Sequence, residues 1–138
     1  SWCSIKKYLF SDFVHFFYKI YCHLFISFYS FNKIGKKIFL YGASTKGNTL
    51  LQYYGLSSKE IPYAAERSKT KWGKYTIGSG VKIISEEKAR KLNPDYFFVM
   101  PYGFINEFLI REKSWLKNGG KFLLPYPKLK IVKWKKKH

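Results

Sequence analysis

At 138 residues the chain is long enough for one packed domain and short for a second catalytic one. Its 46% hydrophobic and 21% aromatic content excludes an intrinsically disordered segment. Twenty-six Lys and Arg against eight Asp and Glu give a formal net charge of +18. That points to an anionic partner such as nucleic acid, a phosphorylated small molecule or a lipid surface, although a lysine-biased composition gives the same number with no partner at all.

The chain opens on its greasiest part, residues 8–31, "YLFSDFVHFFYKIYCHLFISFYSF". Leu9, Phe13, Phe16, Phe17, Ile20 and Leu24 recur at helical spacing. Asp12, His15, Lys19 and His23 interrupt the run, and its uncharged part, Ile20–Phe31, falls short of the roughly 20 apolar residues a membrane span needs. No A-x-A-like cleavage site follows. The segment reads as a helix that covers sheet surface or meets a partner. From Lys36 the texture changes. "KKIFLYG" reads as a buried strand and "GNTLLQYYG" as a helix ending near Gly55. "IPYAAER" is a second strand, followed by a glycine-rich aromatic loop, "KTKWGKYTIGSG". "VKIIS" is a third strand, and "SEEKARKL" a helix capped by Ser85 with acids in its first turn. "DYFFVMP" is a fourth, strongly apolar strand. "GFINEFLIREKSWLKNGG" reads as one amphipathic helix closed by Gly119 and Gly120. "KFLLPYP" is a fifth strand, "LKIVK" a possible sixth, and "KWKKKH" a solvated basic tail. This alternation predicts an α/β, Rossmann-like three-layer sandwich: a mostly parallel sheet of about five strands, preceded by an N-terminal helix. The expected divisions are 1–32, 33–132 and 133–138.

The turn "YGASTKGN" carries the most chemistry. Gly42 and Gly47 have Walker A separation, but Lys46 precedes the second glycine and Asn48 follows it, which rules out that loop. Against the dinucleotide fingerprint, Gly42 and Gly47 fit the outer glycines and Ser44 replaces the middle one. Glu66, at the end of the second strand, stands about where an acid would meet a ribose. A nicotinamide- or other nucleotide-binding module is therefore one alternative, and a glycine turn that only packs helix on strand is another. The helix start after Tyr41 and Gly42 gathers Ser44, Thr45, Lys46 and Asn48, a set of donors suited to a phosphate or a sugar hydroxyl. In the middle loop Arg67, Lys71 and Lys74 sit among Trp72 and Tyr75: aromatic planes can stack on a base and lysines can meet phosphate. Gly73 and Gly78 permit unusual backbone angles there. The same loop can equally be an ordinary surface loop covering a sheet edge. A basic nucleic-acid-binding domain is the second alternative.

Other chemistry is not indicated. His15, His23 and His138 are scattered, and Cys3 and Cys22 lack CxxC spacing, so neither a metal site nor a disulfide framework is expected. A reducing, cytoplasmic compartment fits. No nucleophile–histidine–acid set and no convincing carboxylate pair is visible.

Three stretches together resemble one family: "YGASTKGNTLLQYYGL", "YAAERSKTKWGKYTIGSGVKIISEEKARKLNPDYFFVMPYGF" and "KNGGKFLLPYP". They look like the C-terminal domain of S-adenosylmethionine-dependent C-methyltransferases acting on nucleotide-linked deoxysugars. The likeness runs from about Lys33 to about Val132. It implies a three-part enzyme: a zinc-binding N-terminal part, a middle domain that binds S-adenosylmethionine, and a Rossmann-like C-terminal domain that binds no such cofactor and helps hold the nucleotide sugar, a dTDP-sugar first among them. Only the third part is recognised in these residues. Methyl transfer is therefore expected to need a domain outside them, and no catalytic residue is assigned within. Pro101, Tyr102, Gly103 and Phe104 stand where the family often has Pro-Trp-x-Phe, so stacking would fall to Tyr102. Residues 1–32 depart from the charged helix that usually precedes the first strand.

Overall fold

The computed structural model describes residue 15 and residues 28–99, 102–125 and 129–136. Phe13, Phe16, Phe17, Ile20 and Leu24 lie outside them, as do Cys3 and Cys22, so the expectation that the first five cover the sheet concerns residues not described. The continuous described chain begins with a helical segment over 28–33, whose Phe28 is fully buried.

Strand β1 (Ile38–Tyr41) leads into α1 (Thr45–Tyr53), then β2 (Tyr63–Glu66), β3 (Lys82–Ser85), α2 (Glu86–Lys91) and β4 (Tyr96–Val99). The chain continues through α3 (Ile105–Arg111), α4 (Lys113–Lys117), β5 (Lys121–Leu124) and β6 (Lys130–Lys133). The six strands form one sheet in the order β3-β2-β1-β4-β5-β6. The first five are parallel, and β6 returns antiparallel along β5, with Lys121 opposite Lys133. This is the doubly wound strand order, and the order reverses between β1 and β4.

Alternation along β1 explains the layers. Ile38 and Leu40 face one side, with Leu51 of α1, Ala64, Ile83, Phe98 and Phe28. Phe39 and Tyr41 face the other, with Ala89 of α2, Phe108 of α3, and Trp115 and Leu116 of α4. Both faces are covered, which is why β1 and β4 are apolar at every position. Each fully buried Leu or Phe contributes roughly 1.5–3 kcal/mol, so β1 and β4 anchor both halves of the core.

The sequence reading departs from the structure in one element. Residues 103–120 are not one helix. They open with a 3₁₀ turn, Tyr102–Phe104, and then form α3 and α4, which meet at Glu112 (φ −100°, ψ 19°). The break turns Glu112 inward, where its side chain is fully buried. There it accepts hydrogen bonds from the Tyr41 hydroxyl at 2.8 Å and from Arg90 at 2.6 Å. Both partners come from distant parts of the chain, so local periodicity gives no warning of the break. The possible sixth strand is present.

Between β2 and β3 the connection is a loop with a single 3₁₀ turn, Lys69–Lys71. Its far part doubles back along β3. The Gly73 N–H donates to the Ile83 carbonyl at 2.9 Å, and the Ile83 N–H to the Lys74 carbonyl at 2.8 Å. Residues 73–75 thereby close the outer edge of the sheet. Among the described residues no helix is long and apolar enough to cross a membrane.

Candidate functional site

The carboxyl ends of β1, β2 and β4 meet where the strand order reverses, the place at which open α/β sheets bind ligands. The β1–α1 turn is built first. Gly42 takes φ 86°, a backbone conformation that side chains with a Cβ rarely adopt, and its N–H donates to the Ala65 carbonyl at 2.8 Å. Ser44 caps α1: its Oγ accepts from the Gly47 N–H at 3.0 Å. The helix itself provides no acceptor for the N–H groups of Thr45 and Lys46. Thr45 and Lys46 are exposed, and Lys46 makes no ion pair among the described residues.

Glu66 clamps this turn. One carboxylate oxygen accepts from the Ala43 N–H at 2.9 Å and the other from the Ser68 N–H at 2.9 Å. Lys71 lies 3.7 Å from the carboxylate and donates to the Ala43 carbonyl at 3.2 Å. Burial pushes the Glu66 carboxyl up, but the Ser68 and Ala43 N–H groups and the Lys71 ammonium outweigh it and hold it below the ordinary range. Glu66 thus ties β2 to the turn instead of standing open toward a ribose.

The aromatic loop is pinned on the same side. Trp72 donates its indole N–H to the Glu66 carbonyl at 2.7 Å, leaving the ring 38% exposed. Asn48 donates to the Ile77 carbonyl at 2.8 Å and accepts from Ser79 Oγ at 2.6 Å. Gln52 also reaches the Ile77 carbonyl, and its side chain passes so close to Gly78 (φ 78°) that a Cβ there would collide with it. Tyr75 and Lys74 stand apart from the turn, exposed along the β3 edge.

On the α3 side of Gly42 lies a cleft of about 210 Å³. Tyr41, Gly42, Glu66, Arg67, Glu86, Phe104, Glu107 and Arg111 are among the residues lining it. Arg111 is its centre. Its Nε donates to the Tyr41 hydroxyl at 3.0 Å, one terminal nitrogen to Glu107 at 3.0 Å and the other to Glu86 at 2.9 Å. Its guanidinium also lies over the Phe108 ring, 5.1 Å from the centroid. Burial works against the Arg111 charge, and the Tyr41 oxygen with Glu86 and Glu107 more than restores it. Arg67 adds an ion pair to Glu107 at 3.5 Å. Tyr41 itself is 1% exposed. Burial first, and then the Glu112 carboxylate, pushes its hydroxyl far above the ordinary tyrosine range, so it remains a neutral donor.

The structure therefore brings together Gly42, Ser44, Thr45, Lys46, Gly47, Asn48, Glu66, Arg67, Lys71 and Trp72 around the end of β1, whereas Gly78 lies against Gln52 in the last turn of α1. Tyr41 forms the floor, and Gly73, Lys74 and Tyr75 are spent along the sheet edge. Pro101 lies outside the described residues; Tyr102 opens the 3₁₀ turn, with its side chain outside them too. Glu86, Glu107 and Arg111 were not singled out from the sequence. The one available signal was their position: each lies on a helix that follows a strand's carboxyl end, with Glu107 and Arg111 four residues apart.

The comparisons with known proteins agree with one another. Ninety-eight residues, 71% of the chain, are 37% identical to the C-methyltransferase NovU of Streptomyces niveus. They cover 23% of that protein, so the chain spans about a quarter of the length of the curated relative it matches. A family model, described as the C-methyltransferase C-terminal domain, matches residues 5–127. With that match running over most of its length, the chain belongs to the C-methyltransferase C-terminal domain family.

Proposed function

We propose that this domain holds a nucleotide-linked sugar for a C-methyltransferase, with the diphosphate over the turn Gly42–Asn48. The observation that carries the reading is the turn itself: a glycine-opened helix start at the point where strand order reverses, with Lys46 exposed beside it and Lys71 folded in below. The first N–H groups of α1 and the positive end of its dipole favour an anion. Lys46 adds a mobile charge, and Ser44 and Thr45 add hydroxyls. Trp72, held by its own N–H, offers a ring face to a base, of which thymine is our first choice.

Methyl transfer from S-adenosylmethionine to a sugar carbon beside a keto group would take place with a domain outside these residues. The turn argues against a nucleotide cofactor bound here through its ribose, because Glu66 spends its carboxylate on the Ala43 and Ser68 N–H groups and on Lys71. The cytoplasmic location expected from the sequence belongs to the same proposal.

Calorimetry with dTDP on the wild type and Lys46→Ala tests the reading. The substitution should weaken binding by about 1–3 kcal/mol, the scale of a charge-assisted hydrogen bond. Stability should hardly change, since a lysine at a helix start opposes the dipole. Equal affinities would mean that the turn only packs α1 on the sheet.

A further inference from the structure

Of the two outermost strands, β3 is covered by residues 73–75, whereas β6 pairs with β5 alone. In an antiparallel pair, alternate residues turn their N–H and C=O away from the neighbouring strand, so half of the β6 backbone faces outward. Among the described residues nothing bonds to that side. We infer that the β6 edge takes up an extended, acidic segment of a partner polypeptide as a further strand of the sheet.

Three observations carry it. The first is charge. Lys113 and Lys117 of α4, Lys130 and Lys133 of β6, and Lys135 and Lys136 beyond it are all exposed. Among the described residues none of the six makes an ion pair, while Glu86, Glu107 and Glu112 meet arginines and Glu66 meets Lys71. The second is the crowding of like charges. Lys133 stands opposite Lys121 across the strand pair. Lys113 and Lys117, four residues apart on α4, lie 5.7 and 5.3 Å from the centroid of the Trp134 ring. Both arrangements oppose folding, and an anionic partner relieves both. Lysines on the strand alone would suffice to blunt the edge; those on α4 and beyond β6 extend the positive surface past it. The third is alternation. Val132 packs into the same layer as Trp115 and Leu116 of α4, so Lys130 shares that face, and Ile131 and Lys133 take the other. An added strand therefore meets a lysine on each face, with Ile131, 46% exposed, beside Lys133. A peptide backbone both donates and accepts, as this edge requires. A phosphodiester only accepts, and the Trp134 ring on which a base would stack already carries two ammonium groups.

Fluorescence anisotropy of the full chain with a labelled peptide of repeated Glu-Glu-Thr-Thr tests the inference. The first control is a Glu-Glu-Pro-Pro peptide of equal length and charge, whose prolines cannot join a ladder. The second is oligo-dT of equal length. The Thr peptide should bind at least about tenfold more tightly than the Pro peptide, the scale of one or two net hydrogen bonds. The double variant Lys130→Glu with Lys133→Glu should weaken it by about tenfold or more, the scale of two surface ion pairs. Lys135→Glu with Lys136→Glu, outside the strand, serves should the first variant fail to fold, and should weaken binding in the same direction. Equal affinity for the two peptides would reduce the surface to a charge patch and overturn strand addition. Tighter binding of oligo-dT than of the Thr peptide would make it a nucleic-acid surface and overturn it as well. So would an affinity unchanged by the substitutions, or no binding of the Thr peptide to the wild type.

Discussion

The segment 113–124 and the loop 67–80 each carry two aromatic residues, and they use them in opposite ways. In the first, Trp115 packs its ring 4.5 Å from Phe97 and 5.3 Å from Phe122, centroid to centroid, and donates its indole N–H to the buried Pro94 carbonyl at 3.0 Å. The contact is so close that a Cβ on Gly120 would collide with the indole. In the loop, Trp72 and Tyr75 keep much of their surface in solvent, and the backbone is held by polar links to the side chains of Asn48, Gln52 and Glu66. Aromatic content alone does not separate a core from a recognition surface. Where each ring's surface goes does, and the two regions should answer mutation differently.

The largest effect is expected at the packed end. Trp115→Ala should cost about 3–5 kcal/mol of unfolding free energy, since it removes a large ring and leaves a hole among Phe97, Phe122 and the sheet. Urea denaturation gives the value. A loss below 1 kcal/mol would show that this region is no more a core than the loop is.

An intermediate effect is expected at Glu66, where polar links do the holding. The folded carboxyl is a stronger acid than the unfolded one, because the Ser68 and Ala43 N–H groups and Lys71 outweigh its burial. Its stabilisation is therefore complete above the unfolded value and is lost as pH falls through the folded one. Wild type should lose stability on the acid side of the ordinary glutamate range, and Glu66→Gln should show a flatter profile there. At neutral pH the variant should be less stable by about 1 kcal/mol, the net worth of an ordinary hydrogen bond. Melting temperatures between pH 3 and 7 decide it, and parallel profiles would show that the clamp does not contribute.

The smallest effect is expected at Tyr75, 60% exposed along the β3 edge. Tyr75→Ala should alter stability by no more than about 0.5 kcal/mol, as for other surface positions. The pairing there uses backbone atoms, which the substitution keeps. A drop comparable to that of Trp115→Ala would erase the contrast between the two regions.

What the sequence made legible follows the same division. Strands such as "IFLY" and "YFFV" announce themselves because a central parallel strand needs apolar residues on both faces, and that is a local property. The caps at Ser44 and Ser85 are local as well. The turn around Gly42 could be read as a site because its glycines and hydroxyls are contiguous. The cleft could not. Arg111 meets Tyr41 across 70 positions and Glu86 across 25, and nothing in either neighbourhood records the partner. The break at Glu112 was hidden for the same reason: the partners its side chain meets there, Tyr41 and Arg90, are 71 and 22 positions away. Trp72 read as a stacking ring, and its N–H proves to be spent on Glu66.

The two outer edges of the sheet are closed by different means. On one side, residues 73–75 satisfy β3 with backbone hydrogen bonds. On the other, β6 is exposed over most of its length and carries Lys130 and Lys133 at its two ends, with Lys135 and Lys136 exposed just beyond. An edge occupied by backbone is indifferent to the ionic medium. An edge guarded by like charges is protected only as far as those charges are felt, and that reach shrinks from about 10 Å at 0.1 M salt to about 3 Å at 1 M. Concentrated salt, by screening these lysines, therefore weakens the protection of the β6 edge and leaves that of the β3 edge unchanged.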